Sequence, residues 1–174
     1  MKYLVRDRIF GIGDDYWIED ENGHHAFLVD GKAMRLRDTL EIKDPAGRVL
    51  VTLREKALSV RDAMTVERDG QTLATVRKKR LSLLRNHYRV ALADDAGAAA
   101  GLGAGPGAEL DVTGRVLDRE FTVEHDGEPL ARISRKWFRT RDTYAVDVVR
   151  AGADPALLIA VAVCVIRIAE RERE

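Results

Sequence analysis

A chain of 174 residues suffices for one domain with a substantial core and is short for two. Lys plus Arg and Asp plus Glu number 29 each, so the formal net charge is zero, and 45% apolar with 33% charged residues is a globular rather than a disordered composition. One cysteine excludes an intramolecular disulfide framework and a multi-cysteine zinc site, and the balanced charge speaks against a generic nucleic-acid binder.

The N-terminus, Met1 to Arg8, is charged from its second residue and lacks an apolar stretch, so no secretory signal is expected there. Tyr3–Ile9 reads as a first strand. A repeat follows. Asp14, Asp38, Asp62 and Asn86 recur at intervals of 24 residues, and Asp118 and Asp142 are again 24 apart. The interval from Asn86 to Asp118 is longer by 8, and the Ala/Gly tract Ala96–Ala108 fills it. Each marker precedes an alternating stretch, such as Leu40-Glu41-Ile42 or His87-Tyr88-Arg89-Val90. Period-two alternation with β-branched and aromatic residues predicts half-buried strands. The copy at Asp118 slips by one residue.

A turn comes next in the units: Asn22-Gly23, Asp44-Pro45-Ala46-Gly47, Asp69-Gly70 and Asp126-Gly127. Asn and Gly tolerate positive φ, which makes these pairs hairpin signals. A second strand then follows, as in Ala26–Val29, Val49–Leu53, Leu73–Val76 and Leu130–Ile133. Each unit is a β-hairpin. With Tyr3–Ile9 before the units and Tyr144–Val149 after them, the total is about 12 strands. A closed sheet of that size is too wide for side chains alone, since about eight strands is the filled limit.

The C-terminal segment supplies a filler. Asp154 suits an N-cap and Pro155 the first helical position. The run Ala156–Ile166 is apolar on every side, which demands that a helix there be surrounded by protein. At about 1.5 Å per residue it covers roughly half of a bilayer core, so it is not expected to span one. A central helix over about 155–169 is expected, with the charged end Arg167–Glu174 protruding and fraying. The predicted fold is all-β with one helix: a single domain over 1–174, a closed antiparallel barrel of about 12 strands around a buried hydrophobic helix. The Ala/Gly tract, 96–108, is expected to be a flexible loop. Its glycines do not make a dinucleotide fingerprint, because Pro106 interrupts and no βαβ unit surrounds it.

A basic residue recurs where the second strands end: Arg8, Lys32, Lys56, Lys79 and Lys136 align. Alternate strands of an up-and-down barrel run the same way, so these residues are expected to gather near one end. Neighbouring cations add to the column. The candidate anion- or lipid-binding residues are Lys56, Arg77, Lys78, Lys79, Arg80, Arg135, Lys136 and Arg139. The competing reading is solvated strand residues that discourage aggregation. The charge total conceals this pattern: residues 54–92 hold 10 basic and 4 acidic groups, and 132–150 hold 6 and 2, against 2 and 9 in 93–131. Little else suggests chemistry. His24 and His25 are adjacent, and adjacent strand side chains face oppositely, so His24, His25, His87 and His125 read as surface turn residues rather than metal ligands. Cys164 lies mid-helix and reads as a buried, inert thiol. Trp17, Trp137 and Phe138 read as core aromatics. The aspartates lack calcium-loop spacing. No catalytic residues, cofactor or metal are assigned.

The segment Ile133-Ser134-Arg135-Lys136-Trp137-Phe138-Arg139-Thr140-Arg141-Asp142-Thr143-Tyr144 resembles the most characteristic stretch of the LURP-one-related proteins. Ile9–Asp14 and Ile18–Gly23 resemble that family's N-terminal signature. The resemblance implies a fold like the tubby C-terminal domain and the phospholipid scramblases, a 12-stranded barrel threaded by a hydrophobic helix. It also implies use of basic residues toward anionic phospholipids or phosphoinositides, and an acidic residue in the central helix near Val163 or Cys164, which this helix lacks. The expected function is a non-enzymatic module, cytoplasmic or at the membrane periphery, that recognises anionic phospholipid head groups or a membrane surface. The alternative is a protein-interaction or regulatory scaffold without a lipid role, and a third reading is scramblase-like lipid transport. Nucleic acid is not an expected partner.

Overall fold

The computed structural model describes residues 1–6, 15–30, 39–55, 63–79, 86–103, 107–115, 120–135 and 143–171. Twelve strands occupy them: β1 (Lys2–Arg6), β2 (Tyr16–Asp20), β3 (His25–Asp30), β4 (Thr39–Lys43), β5 (Val49–Glu55), β6 (Ala63–Arg68), β7 (Gln71–Lys79), β8 (Asn86–Leu92), β9 (Glu109–Arg115), β10 (Glu120–His125), β11 (Glu128–Ser134) and β12 (Thr143–Val148). Two helices accompany them, α1 (Ala96–Ala99) and α2 (Pro155–Arg171). Every strand pairs antiparallel with its neighbours in sequence, and β1 closes the ring on β12, with Lys2 opposite Asp147 and Arg6 opposite Thr143. Closure removes both sheet edges. The markers Asp14, Asp38, Asp62, Asp118 and Asp142 lie outside the described residues. Asn86 opens β8, where its Nδ2 donates to Tyr88 Oη at 3.2 Å.

Alternation sets the two faces. Ile18, Val29, Val51, Val76, Val112 and Val123 are fully buried inside the ring. The hairpins carry the turn chemistry that their sequences predict. Asp69-Gly70 and Asp126-Gly127 form two-residue loops with positive φ at both positions, 51° and 78° in the first and 49° and 82° in the second. That geometry matches the right-handed twist of the flanking strands. A bulge between Val123 and Glu124 where β10 pairs with β11 recurs at the matching place in the β2–β3, β4–β5 and β6–β7 hairpins, so it belongs to the repeat as a whole and not to the copy that slips in sequence.

Inside the ring runs α2. Asp154 Oδ1 accepts a hydrogen bond from the Ala156 amide at 2.9 Å, as a capping aspartate should. Its other carboxylate oxygen accepts from Arg68 at the end of β6, and Arg68 Nε also donates to Leu50 O at 3.0 Å, so the cap is tied to the barrel wall. Every residue from Ala156 to Ile166 is at most 3% exposed. Val and Ile cost at most about 0.7 kcal/mol each in helix propensity, whereas burying each side chain contributes about 1.5–3 kcal/mol, so the hollow decides the conformation. The charged C-terminal end departs from expectation. The helix continues through Arg171, Ile168 is 1% exposed, and Arg167 is held against β5 rather than frayed into solvent.

The Ala/Gly tract, expected as a flexible loop, is described over residues 96–103 and 107–108. It opens with the single turn α1, whose Ala96 is buried together with Ala100 just beyond it. Ala99 O accepts from the Asp154 amide at 2.7 Å, and Gly101 O accepts from Arg150 Nε at 3.1 Å. Small side chains let this turn lie close over the end of the barrel where α2 enters. Residues 104–106 lie outside the described residues.

Gly114 on β9 makes a close approach that no turn requires. A Cβ there would stand 2.2 Å from Glu120 O and 2.4 Å from a ring carbon of Phe121, its cross-strand partner. Gly114→Ala is expected to lower unfolding stability by about 1–3 kcal/mol, by the overpacking cost, as read from urea denaturation. A neutral result would show that the Phe121 ring yields freely.

A basic groove on the outer face of the barrel

On β7 the buried pair Ala74 and Val76 fixes the inward parity, so Thr75, Arg77 and Lys79 face outward and Lys78 takes the inward one. The run Arg77-Lys78-Lys79 therefore alternates in parity, and Lys78, half-buried near the end of the strand, still borders the outer groove. Register supplies the neighbours: Thr75 lies opposite Ala91, Arg77 opposite Arg89 and Lys79 opposite His87, while on the other side of β8, Ala91 faces Glu109 and Arg89 faces Asp111. The small side chains of Thr75 and Ala91 sit among long charged ones. The result is an open groove of about 430 Å³ lined by Thr75, Arg77, Lys78, Lys79, Arg89, Ala91 and Glu109.

Charge in the groove is mixed. Glu109 Oε2 stands 3.3 Å from Arg89 Nε, both side chains being about half exposed. Arg89 Nε is itself shielded from solvent and makes no hydrogen bond. His87 Nε2 and Asp111 Oδ1 are 2.7 Å apart. Arg77 and Lys79 have no ion-pair partner among the described residues, and Arg77 is exposed. Two cations therefore point outward at alternate positions of one strand, about 6.7 Å apart by strand geometry.

The other sequence candidates fall elsewhere. Lys56, Arg80, Lys136 and Arg139 lie outside the described residues, as do Arg8 and Lys32 of the aligned column. Arg135 follows the end of β11, with its guanidinium carbon 5.6 Å from the centre of the Tyr144 ring. Odd-numbered strands all run toward one rim, so Lys79 and Arg135 share that rim, but β8, β9 and β10 stand between β7 and β11. A second concavity of about 340 Å³ occupies this interval, with Arg115, Glu120 and Arg132 among its lining. Sequence reasoning did not single out Arg89 and Glu109 for the groove. The alternation of β8 places His87 and Arg89 on the same face as the β7 cations, and that signal was available. The register of Glu109 was concealed by the insert between β8 and β9.

The aromatic and histidine readings are corrected in part. Trp17 is not core: it has the parity opposite to buried Ile18 and stacks flat on exposed His25, ring centres 4.4 Å apart. Trp137 and Phe138 lie outside the described residues. His87 is a strand residue rather than a turn residue. His24 lies at a turn, whereas His25 opens β3 and His125 ends β10, where its Nδ1 is 2.7 Å from Glu109 O. Among the described residues no group of three His, Cys, Asp or Glu side chains is placed to hold a metal.

At the rim where the odd strands end, β5 turns Glu55 toward the helix. Glu55 Oε1 accepts from Arg167 Nε at 2.6 Å and lies 2.5 Å from a second guanidinium nitrogen, with both side chains less than one-fifth exposed. Glu55→Gln is expected to cost about 1.5–3 kcal/mol, the range for hydrogen bonds to charged groups. Urea unfolding compared with an Arg167→Met partner variant would isolate the pair, and additive effects of the two changes would exclude the coupling. Cys164 is fully buried, and burial pushes its thiol far above the ordinary cysteine value. At neutral pH it is expected to resist a thiol-specific reagent in the native protein and to react at once in denaturant. Rapid native labelling would show that the barrel opens easily around α2.

The fold and groove together define a closed twelve-stranded antiparallel barrel, threaded by one long apolar helix and bearing charge on its outer face. No described helix is long and apolar enough to cross a membrane. The LURP-one-related family model matches residues 1–166, and the chain belongs to that family. It is 23% identical over 149 residues to the protein YxjI of Bacillus subtilis (strain 168), covering 85% of this chain and 82% of that protein. An X-ray structure of an Arabidopsis thaliana protein has the same fold, with a TM-score of 0.63 at 22% identity, covering 98% of this chain and 91% of the other.

Proposed function

We propose that this protein is a non-enzymatic binding module that takes anionic phospholipid head groups on the outer groove of β7, β8 and β9. The observation that carries the reading is the pair Arg77 and Lys79, outward cations without ion-pair partners among the described residues, beside Arg89 in a concave site. Phosphate groups are bound well by such clusters, with arginine supplying planar donors and lysine a point charge. Each basic side chain near an anionic surface contributes about 1 kcal/mol, and the effect is screened by salt. The closed barrel supports this mode over strand addition, because it offers no unpaired backbone edge.

Sedimentation with phosphatidylcholine vesicles that contain phosphatidylserine tests the proposal. Binding is expected at low salt, and the double change Arg77→Glu with Lys79→Glu is expected to weaken it by at least about tenfold. Binding no greater than to phosphatidylcholine alone, or an unaltered double variant of native stability, would overturn it. In the latter case a partner protein retained by that variant would favour the interaction-scaffold reading.

A further inference from the structure

The groove contains its own carboxylate, and that determines which anion fits. A site built only for polyphosphate would gain nothing from Glu109, which repels every phosphate entering beside Arg89. The Glu109–Arg89 contact is also a poor one. At 3.3 Å it lacks hydrogen-bond geometry, and both side chains are about half exposed. Exposed pairs of this kind are weak and readily exchanged. Asp111 is engaged by His87 at 2.7 Å, so Glu109 is the carboxylate of the groove lining itself.

We infer that the groove selects a head group carrying both a phosphate and a primary ammonium, the phosphate lying against Arg77, Lys79 and Arg89 and the ammonium donating N–H hydrogen bonds to Glu109, which the quaternary ammonium of phosphatidylcholine cannot do. This rests on the binding function proposed above and narrows it. An incoming phosphate replaces Glu109 as the partner of Arg89, and the ammonium replaces Arg89 as the partner of Glu109. Arg89 and Glu109 both remain paired after the exchange. A head group with phosphate alone leaves Glu109 unpaired beside a second anion. The shared chemistry, phosphate with a neighbouring amine, occurs in aminophospholipids and in small soluble phosphoamines.

The test compares two lipids of equal net charge. Phosphatidylserine has an ammonium and phosphatidylglycerol has none, and each carries a single net negative charge. Vesicles of phosphatidylcholine with equal fractions of one or the other are offered to the wild type and to Glu109→Gln, with thermal midpoints confirming that both are folded. The wild type is expected to prefer phosphatidylserine by about three- to fivefold, the range of one exposed ion pair, and Glu109→Gln is expected to erase that preference by strengthening phosphatidylglycerol binding. Equal wild-type binding to both lipids would overturn the selectivity while leaving the lipid function standing. Binding to neither would overturn the lipid function. A calorimetric arm with soluble phosphoethanolamine against inorganic phosphate then separates the sources. Binding of phosphoethanolamine alone, lost in Glu109→Gln, would retain the selectivity and assign it to a soluble ligand. No binding in that arm as well would overturn both.

Discussion

Everything in this molecule depends on filling a hollow. Closing twelve strands satisfies every backbone edge but opens an interior wider than wall side chains can occupy. The helix α2 meets that need by being apolar on all sides, and in return the wall gives Val and Ile residues a helical conformation that their own preferences disfavour. The two parts bury one another's apolar surface. The fixed points of the arrangement are at the two ends of α2: the Asp154 cap held by Arg68 at one, and Arg167 held by Glu55 at the other.

Because the interior is committed to packing, chemistry is pushed outward. Leu157, Ile159 and their neighbours, which are fully buried, pack against the inner face. The outer face is where long charged side chains meet small ones across strands, and concavity arises there from the contrast of Arg89 and Lys79 with Ala91 and Thr75. The same alternation that builds the core therefore builds the groove.

Much of the fold could be read from sequence because the signals were local and periodic. Alternation located the strands, Asp-Gly pairs located the hairpins, and an apolar run behind Asp154-Pro155 located the helix. Closure followed from counting. What could not be read was non-local. The ion pair that orders Arg167 joins residues on β5 and α2, and no spacing rule connects them. The packed turn α1 looked like a linker because Ala and Gly are equally the residues of flexible segments and of close contacts. The groove was legible by half. The cations Arg77 and Lys79 stood out, but Lys78 between them has the opposite parity, and Glu109 enters only through a cross-strand register that the insert obscures. Trp17 misled because aromatic strand residues usually face a core, whereas here the parity of Ile18 turns it outward onto His25.

The seam between β1 and β12 sets the order in which such a chain can become a barrel. Lys2 meets Asp147 there, and α2 enters only afterwards in sequence, from Pro155 onward. Hairpins can form early, since their partners are a few residues apart, but the ring cannot close on its filler until β12 and α2 are both present. Until then the apolar inner faces of the strands have nothing to cover them, the condition in which partly folded chains associate. The two-residue turns at Asp69-Gly70 and Asp126-Gly127 hold their hairpins in register during that interval. The last residues to be joined are in this sense the ones that decide whether all the earlier ones have been worth ordering.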